Sequence, residues 1–158
     1  MSKYNCTQLN PDETFEKHIY HRDQFAHYFR WSHILKVAKI GMNILDFGWG
    51  TGNLCEVFYR NKYRAAEYLG VEYRNSAVLN AKVKYANVEW ANFKQCDLTD
   101  DNLIFVPENE DEWDIITCFE VLEHVGKENV EKVLKNIYII IWAIKLHVIY
   151  RHRVTTLL

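Results

Sequence analysis

Ile44-Leu45-Asp46-Phe47-Gly48-Trp49-Gly50-Thr51-Gly52-Asn53 decides how the rest of the chain is read. An apolar run ends in an acid and breaks into three glycines at alternate positions; Leu54-Cys55-Glu56-Val57-Phe58-Tyr59 follows at once with a helical pattern. Strand, glycine turn and helix in succession is the layout of a nucleotide or nucleoside site. Glycines turn the chain tightly and leave no Cβ between backbone and ligand. The N–H groups that open the helix have no partner inside it and can donate to a ligand. By itself a glycine loop is a weak signal, because turns use glycine everywhere.

Three further stretches sharpen it. Tyr68-Leu69-Gly70-Val71-Glu72, Phe93-Lys94-Gln95-Cys96-Asp97 and Trp113-Asp114-Ile115-Ile116-Thr117-Cys118-Phe119-Glu120 each have the pattern of a buried strand that ends in an acid. The spacing from acid to acid is roughly one βα unit. Parallel strands of an open α/β sheet present their carboxyl ends to one ligand crevice. Asp46, Glu72, Asp97 and Glu120 are therefore expected on a common rim. Helical patterns from Asn75 to Ala86 and from Glu128 to Ile137 alternate with the strands. The expected fold is α/β: a Rossmann-like, doubly wound, mainly parallel sheet with flanking helices.

The four motifs, in this order, resemble those of the class I S-adenosylmethionine (SAM) methyltransferases over about residues 40–137. An NAD-binding Rossmann unit shares the first two features but does not call for the last two. The resemblance implies SAM as cofactor, held by Asp46, Gly48, Gly50, Gly52, Glu72, Asp97, Leu98 and Glu120. In that family the acid after the second strand holds the ribose hydroxyls, and Asp97-Leu98 would lie beside the adenine. Glu120-Val121-Leu122-Glu123-His124 is the reaction end, with Glu120 toward the sulfonium side and His124 toward the substrate. Histidine serves as a general base near neutral pH. Its bland alternative is a residue that merely opens the next helix. Trp49 departs from the family pattern, which places a small residue between those glycines. It must swing outward or overfill the packing beneath the loop, and overpacking costs about 1–3 kcal/mol.

Length and composition set the outer limits. The 158 residues, 49% hydrophobic and 15% aromatic, fit one domain with a real core. A net charge of -2 gives no pull toward nucleic acid or anionic membrane. Cys6, Cys55, Cys96 and Cys118 form no CxxC pair and read as free thiols of a reducing cytosol. The polar start at Met1-Ser2-Lys3-Tyr4 is not an apolar signal segment, so a cytoplasmic protein is expected. His18, His21, His27 and His33 crowd the N-terminal part, but their spacing repeats on no single helical face, so no metal is expected.

Two domain-level expectations remain. Residues 1–21 form a polar arm, and 22–158 a single SAM-methyltransferase-like domain, incomplete at its C-terminus because fewer strands are found than the family carries. Within it, a helix from Arg22 to Ile40 precedes the first strand, with Phe25, Tyr28, Phe29, Ser32, Leu35 and Ala38 on one face. The apolar run from Tyr138 to Tyr150 is shorter than the ~20 residues of a membrane span and is interrupted by Lys145. It reads as a makeshift strand, a helix extension or the altered end of a truncated product.

For the methyl acceptor, Pro11 and Pro107 are the only prolines. No Asp/Asn-Pro-Pro-aromatic tetrapeptide and no Pro-Cys nucleophile can exist, which argues against DNA. The leading expectation is transfer to an oxygen or nitrogen of a small molecule. The alternatives are an RNA ribose or base methyltransferase, since Glu-x-x-Glu-His also resembles the metal motif of small-RNA ribose enzymes, and a truncated, inactive SAM-fold protein.

Overall fold

The computed structural model describes residues 22–50, 52–101, 103, 105 and 113–143. The polar arm at 1–21, Cys6, His18, His21, Pro107 and the stretch from Ile144 to Leu158 lie outside the described residues, as do the side chains of residues 22–28, 142 and 143. The chain falls into two compact units that divide between Ala38 and Lys39, whereas the sequence suggests a boundary at 21/22. The first unit contains α1 (Arg22–Val37), with Lys36 in its last turn, where a cation suits the helix dipole. On α1 the Ser32 hydroxyl donates to the Phe29 carbonyl at 2.7 Å, and the Phe29 and His33 rings meet edge-on at 4.8 Å.

The second unit runs β1 (Asn43–Phe47), α2 (Asn53–Arg60), β2 (Glu67–Glu72), α3 (Asn75–Lys84), β3 (Ala91–Gln95), β4 (Ile115–Cys118) and α4 (Val130–Ala143). The strands form one sheet in the order β3-β2-β1-β4, and every neighbouring pair is parallel. β1 is buried along its whole length, so its apolar residues Ile44, Leu45 and Phe47 do not alternate with solvated ones, and Asn43 and Asp46 are buried with them. The chain goes from β1 outward through β2 to β3, then returns to the other side of β1. That reversal, between β1 and β4, is where an open α/β sheet places its ligand crevice.

Helices cover both faces. Leu54, Cys55 and Phe58 of α2 and Val78 and Ala81 of α3 are buried, with Phe58 edge-on to Tyr68 of β2 and Tyr85, just after α3, stacked on Phe93 of β3 at 5.3 Å. On the opposite face Leu45, Phe47 and Val71 pack with Val133 and Ile140 of α4, together with Phe105 and Trp113. Among the described residues no helix is long and apolar enough to cross a membrane.

Two of the boundaries that differ from the sequence reading have a plain physical cause. β3 stops at Gln95 rather than at Asp97, because the Asp97 carboxylate turns the chain: its Oδ1 accepts from the Thr99 N–H at 2.9 Å and the Thr99 hydroxyl at 2.7 Å. Asp side chains favour such turns over a continuing ladder. Beyond Ile137 the apolar run continues α4 to Ala143 as a helix, not a strand. Val133 and Ile140 fall two turns apart on one helix face and bury on the sheet, so tertiary packing overrides the β preference of the Ile-rich run.

Trp49 turns inward. It is buried, and its ring lies 4.9 Å from that of Phe93. Gly70 makes the room: a Cβ there would stand 2.8 Å from Trp49 Cδ1 and 3.0 Å from Phe93 Cδ1. The indole Nε1 finds no partner among the described residues, so this fit carries the cost of one buried, unpaired donor. We expect Gly70→Ala to destabilise the fold by about 1–3 kcal/mol, and the Trp49→Leu, Gly70→Ala double variant to be less destabilised than the sum of the singles. Urea unfolding should return a coupling of at least about 0.5 kcal/mol; additive effects would place the indole elsewhere.

Candidate functional site

The glycine loop leaves β1 with φ of +65° at Gly48, +61° at Gly50 and +76° at Gly52, a region that only glycine enters freely. Gly48 is also sterically pinned, since a Cβ there would come within 2.3 Å of Val121 Cγ2. Gly50 is the reverse: among the described residues its Cβ direction meets only the Gly48 carbonyl, at 3.9 Å. The loop therefore presents bare backbone to open space at Gly50 while it is clamped on either side. Below it, the Tyr85 hydroxyl shares its proton between the Gly52 carbonyl at 2.9 Å and Glu56 Oε2 at 3.0 Å.

Glu72 comes directly to this loop. Its Oε2 accepts from the Gly50 N–H at 3.2 Å. Oε1 accepts from the backbone N–H and the Nε of Arg74, both at 3.2 Å. The Cys96 N–H, donating to the Glu72 carbonyl at 3.0 Å, ties the Asp97 turn to the same strand end. Asp97 Oδ2 has no partner among the described residues. Leu98 is buried in the core cluster with Val133 and Ile140, and its carbonyl accepts from Asn136 of α4 at 2.8 Å.

Asp46 lies in β1 just before the loop. Its Oδ1 accepts from the Thr117 hydroxyl at 2.7 Å and its Oδ2 from the Tyr68 hydroxyl, so both oxygens face side chains of the sheet and not the loop amides. Burial pushes its carboxyl up from 3.8 to about 6; the Thr117 and Tyr68 donors oppose the rise and the Glu72 charge adds to it. Glu120 lies exposed just past β4 with φ of +56°. A left-handed acid is strained, and such residues gather at functional sites. His124 ends a 3₁₀ turn, Leu122–His124, and is exposed.

Gly48, Gly50, Gly52 and Glu72 thus form one connected group, with Glu120 and His124 on the turn that carries Val121. No group of three His, Cys, Asp or Glu side chains among the described residues is arranged to hold a metal. Cys55, Cys96 and Cys118 are free thiols. Burial raises Cys96 to about 11 and Cys118 to about 12, so neither is a ready nucleophile. The sequence reading missed Tyr68, Thr117, Arg74 and Asn136. Tyr68 and Thr117 look like ordinary strand residues, and Arg74 like a solvated charge. Asn136, a polar residue inside an apolar helix pattern, was the one with a readable signal.

A family model described as a methyltransferase domain matches residues 45–141. No curated protein matches the sequence. Among solved structures, the YcgJ protein from Bacillus subtilis is similar over 70% of this chain and 45% of its own, at 25% identity and a TM-score of 0.55. The methyltransferase domain of bacterial CtHen1-CN is similar over 68% and 57%, at 21% identity and a TM-score of 0.53. The [4+2]-cyclase SpnF is similar over 66% and 36%, at 17% identity and a TM-score of 0.53. This chain spans about half the length of the first two and less of the third.

Asp46 gives the unit a pH signature. Its folded-state value, about 6, lies above the ordinary 3.8, so the folded chain holds this proton more tightly than the unfolded one. The stabilisation is complete below pH 3.8 and is lost as pH rises to about 6. At about 1.4 kcal/mol per pH unit the loss is on the order of 3 kcal/mol. Unfolding free energies of wild type minus Asp46→Asn, measured by urea titration from acid to neutral pH, should fall by that order over this window. A flat difference would show that Asp46 is not buried as described.

Proposed function

The chain belongs to the methyltransferase domain family, and on that premise we propose that it transfers a methyl group from S-adenosylmethionine to an oxygen or nitrogen of a small molecule. The observation that carries the reading is the contact of the glycine loop with an acid: Gly50, whose Cβ direction is open, donates its N–H to Glu72 at the end of the neighbouring strand. Bare backbone beside a carboxylate suits a ribose, because the diol can donate to the acid while the nucleoside lies against the loop. The residues present fit the cofactor. Glu72 would hold the ribose hydroxyls, Asp97 the adenine amino group, and the Gly48, Gly50 and Gly52 backbone with Glu120 the methionine end.

S-adenosylmethionine supplies, when bound, a methyl carbon already activated by its sulfonium. What remains for the protein is alignment, and removal of a proton where the acceptor is a hydroxyl. His124, exposed on the turn after β4, is the residue we assign to that proton. Asp46, which accepts one hydroxyl on each oxygen, contributes by holding β1, β2 and β4 together beneath the loop. The net charge of -2 favours a small acceptor over a polyanion, and the free thiols at Cys55, Cys96 and Cys118 fit a cytoplasmic setting.

Calorimetric titration with S-adenosylhomocysteine should give a dissociation constant of roughly micromolar order. Glu72→Ala, which removes the charge-assisted acceptor, should weaken it by about 30-fold or more. If the wild-type chain is folded by circular dichroism and binds nothing, the cofactor reading falls.

A further inference from the structure

Glu72 is engaged by donors of the protein itself, and the way it is engaged has a consequence for binding. A carboxylate offers about four lone-pair positions, two on each oxygen. Oε1 has both filled, by the N–H and the Nε of Arg74, while Oε2 has one filled, by Gly50. A vicinal diol donating to both oxygens needs a position on each. One donor must therefore leave Oε1.

The two donors are not equally free to go. The Arg74 N–H belongs to the residue that caps the start of α3, so moving it would disturb the helix. The Arg74 guanidinium hangs on a side chain 35% exposed, against 9% for that of Glu72, and can rotate into water. At 3.2 Å its contact is also longer than the ~2.7–2.9 Å of a strong charge-assisted bond.

Resting on the ribose reading of Glu72, we propose that Arg74 is an internal competitor for the nucleoside diol, so that cofactor binding is an exchange in which the guanidinium leaves Oε1 and a ribose hydroxyl takes its place. Arg74 thereby sets the affinity of the site. The backbone N–H of Arg74 and that of Gly50 stay in place and keep the carboxylate aimed during the exchange. An ion pair broken on binding responds to salt: screening weakens the Arg74–Glu72 attraction, and S-adenosylhomocysteine has no net charge at neutral pH to be screened in turn. Added salt should tighten binding to the wild-type chain, opposite to what a site that attracts its ligand by charge would show.

The test is calorimetric titration of wild type, Arg74→Met and Glu72→Ala with S-adenosylhomocysteine at about 0.05 M and about 0.5 M NaCl. Methionine keeps most of the aliphatic stem and removes the competing donor. The expected result is an Arg74→Met chain that binds about three- to fivefold tighter than wild type at low salt and is insensitive to salt, while wild type tightens toward it as salt rises. Equal or weaker binding by Arg74→Met, with Glu72→Ala still weakening binding by about 30-fold or more, would overturn the exchange and leave the ribose reading standing. Binding by none of the folded chains would overturn both. Should Arg74→Met fail to fold, the salt response of wild type decides alone: binding that weakens or stays constant with salt rules the exchange out.

Discussion

The closest constraint in this fold is the seam between Gly48 and Val121, where there is no room even for a methyl group. It joins the turn after β1 to the turn after β4, the two strands between which the winding of the sheet reverses. Loops that leave a sheet at its reversal point in opposite directions open a crevice between them. Here the crevice is closed at its base by one glycine against one valine. Glu120 and the Leu122–His124 turn flank that valine, so their position relative to the glycine loop follows from packing at Gly48. The left-handed backbone of Glu120 adjoins the same seam, and strain of that kind persists only where the surroundings over-determine it.

Four acids end the four strand patterns, and their environments separate them. Asp46 is interior: two hydroxyls take its oxygens and burial raises its proton affinity. Glu72 stands at the rim, charged between a loop amide and an arginine. Asp97 gives one oxygen to its own turn, and Glu120 is exposed. A carboxylate bonded to hydroxyls of two neighbouring strands braces them; one bonded in part to a partly exposed side chain can trade that partner. The partition is made by what stands opposite each acid in the sheet register. Asp46 pairs across to Thr117 on one side and Gly70 on the other, and Tyr68, two residues before that glycine, reaches back to it.

This is also why fold and site were unequally legible. Strands, their order of appearance and the glycine loop follow from apolar runs that end in an acid and a Gly-x-Gly-x-Gly spacing, and these are local features of the chain. The role of Asp46 depends on Thr117, 71 residues away, and no local pattern announces that pairing. The same holds for Arg74, whose sequence neighbours suggest a surface charge and whose partner is decided by how α3 begins. Trp49 showed in the sequence as a misfit; the compensating glycine, Gly70, is visible only once β2 is placed beneath the loop. The β-rich run after Ile137 left strand and helix extension both open, and as far as Ala143 the burial of α4 on the sheet decides for the helix.

The aromatic floor under the loop gives the misfit a physical sense. Trp49 packs on Phe93, Phe93 stacks on Tyr85, and the Tyr85 hydroxyl reaches the Gly52 carbonyl. Three rings thus support three glycines whose backbone freedom would otherwise be large. Backbone braced in this way at Trp49 and Gly52 loses less conformational entropy when a ligand settles on it, and the buried indole Nε1, without a partner among the described residues, is one cost of that packing. With the loop braced from below and pinned at Gly48, the freedom left at the crevice lies in side chains on its rim. Affinity in such a site is governed less by shaping the backbone around the ligand than by which polar group has to be displaced for the ligand to enter.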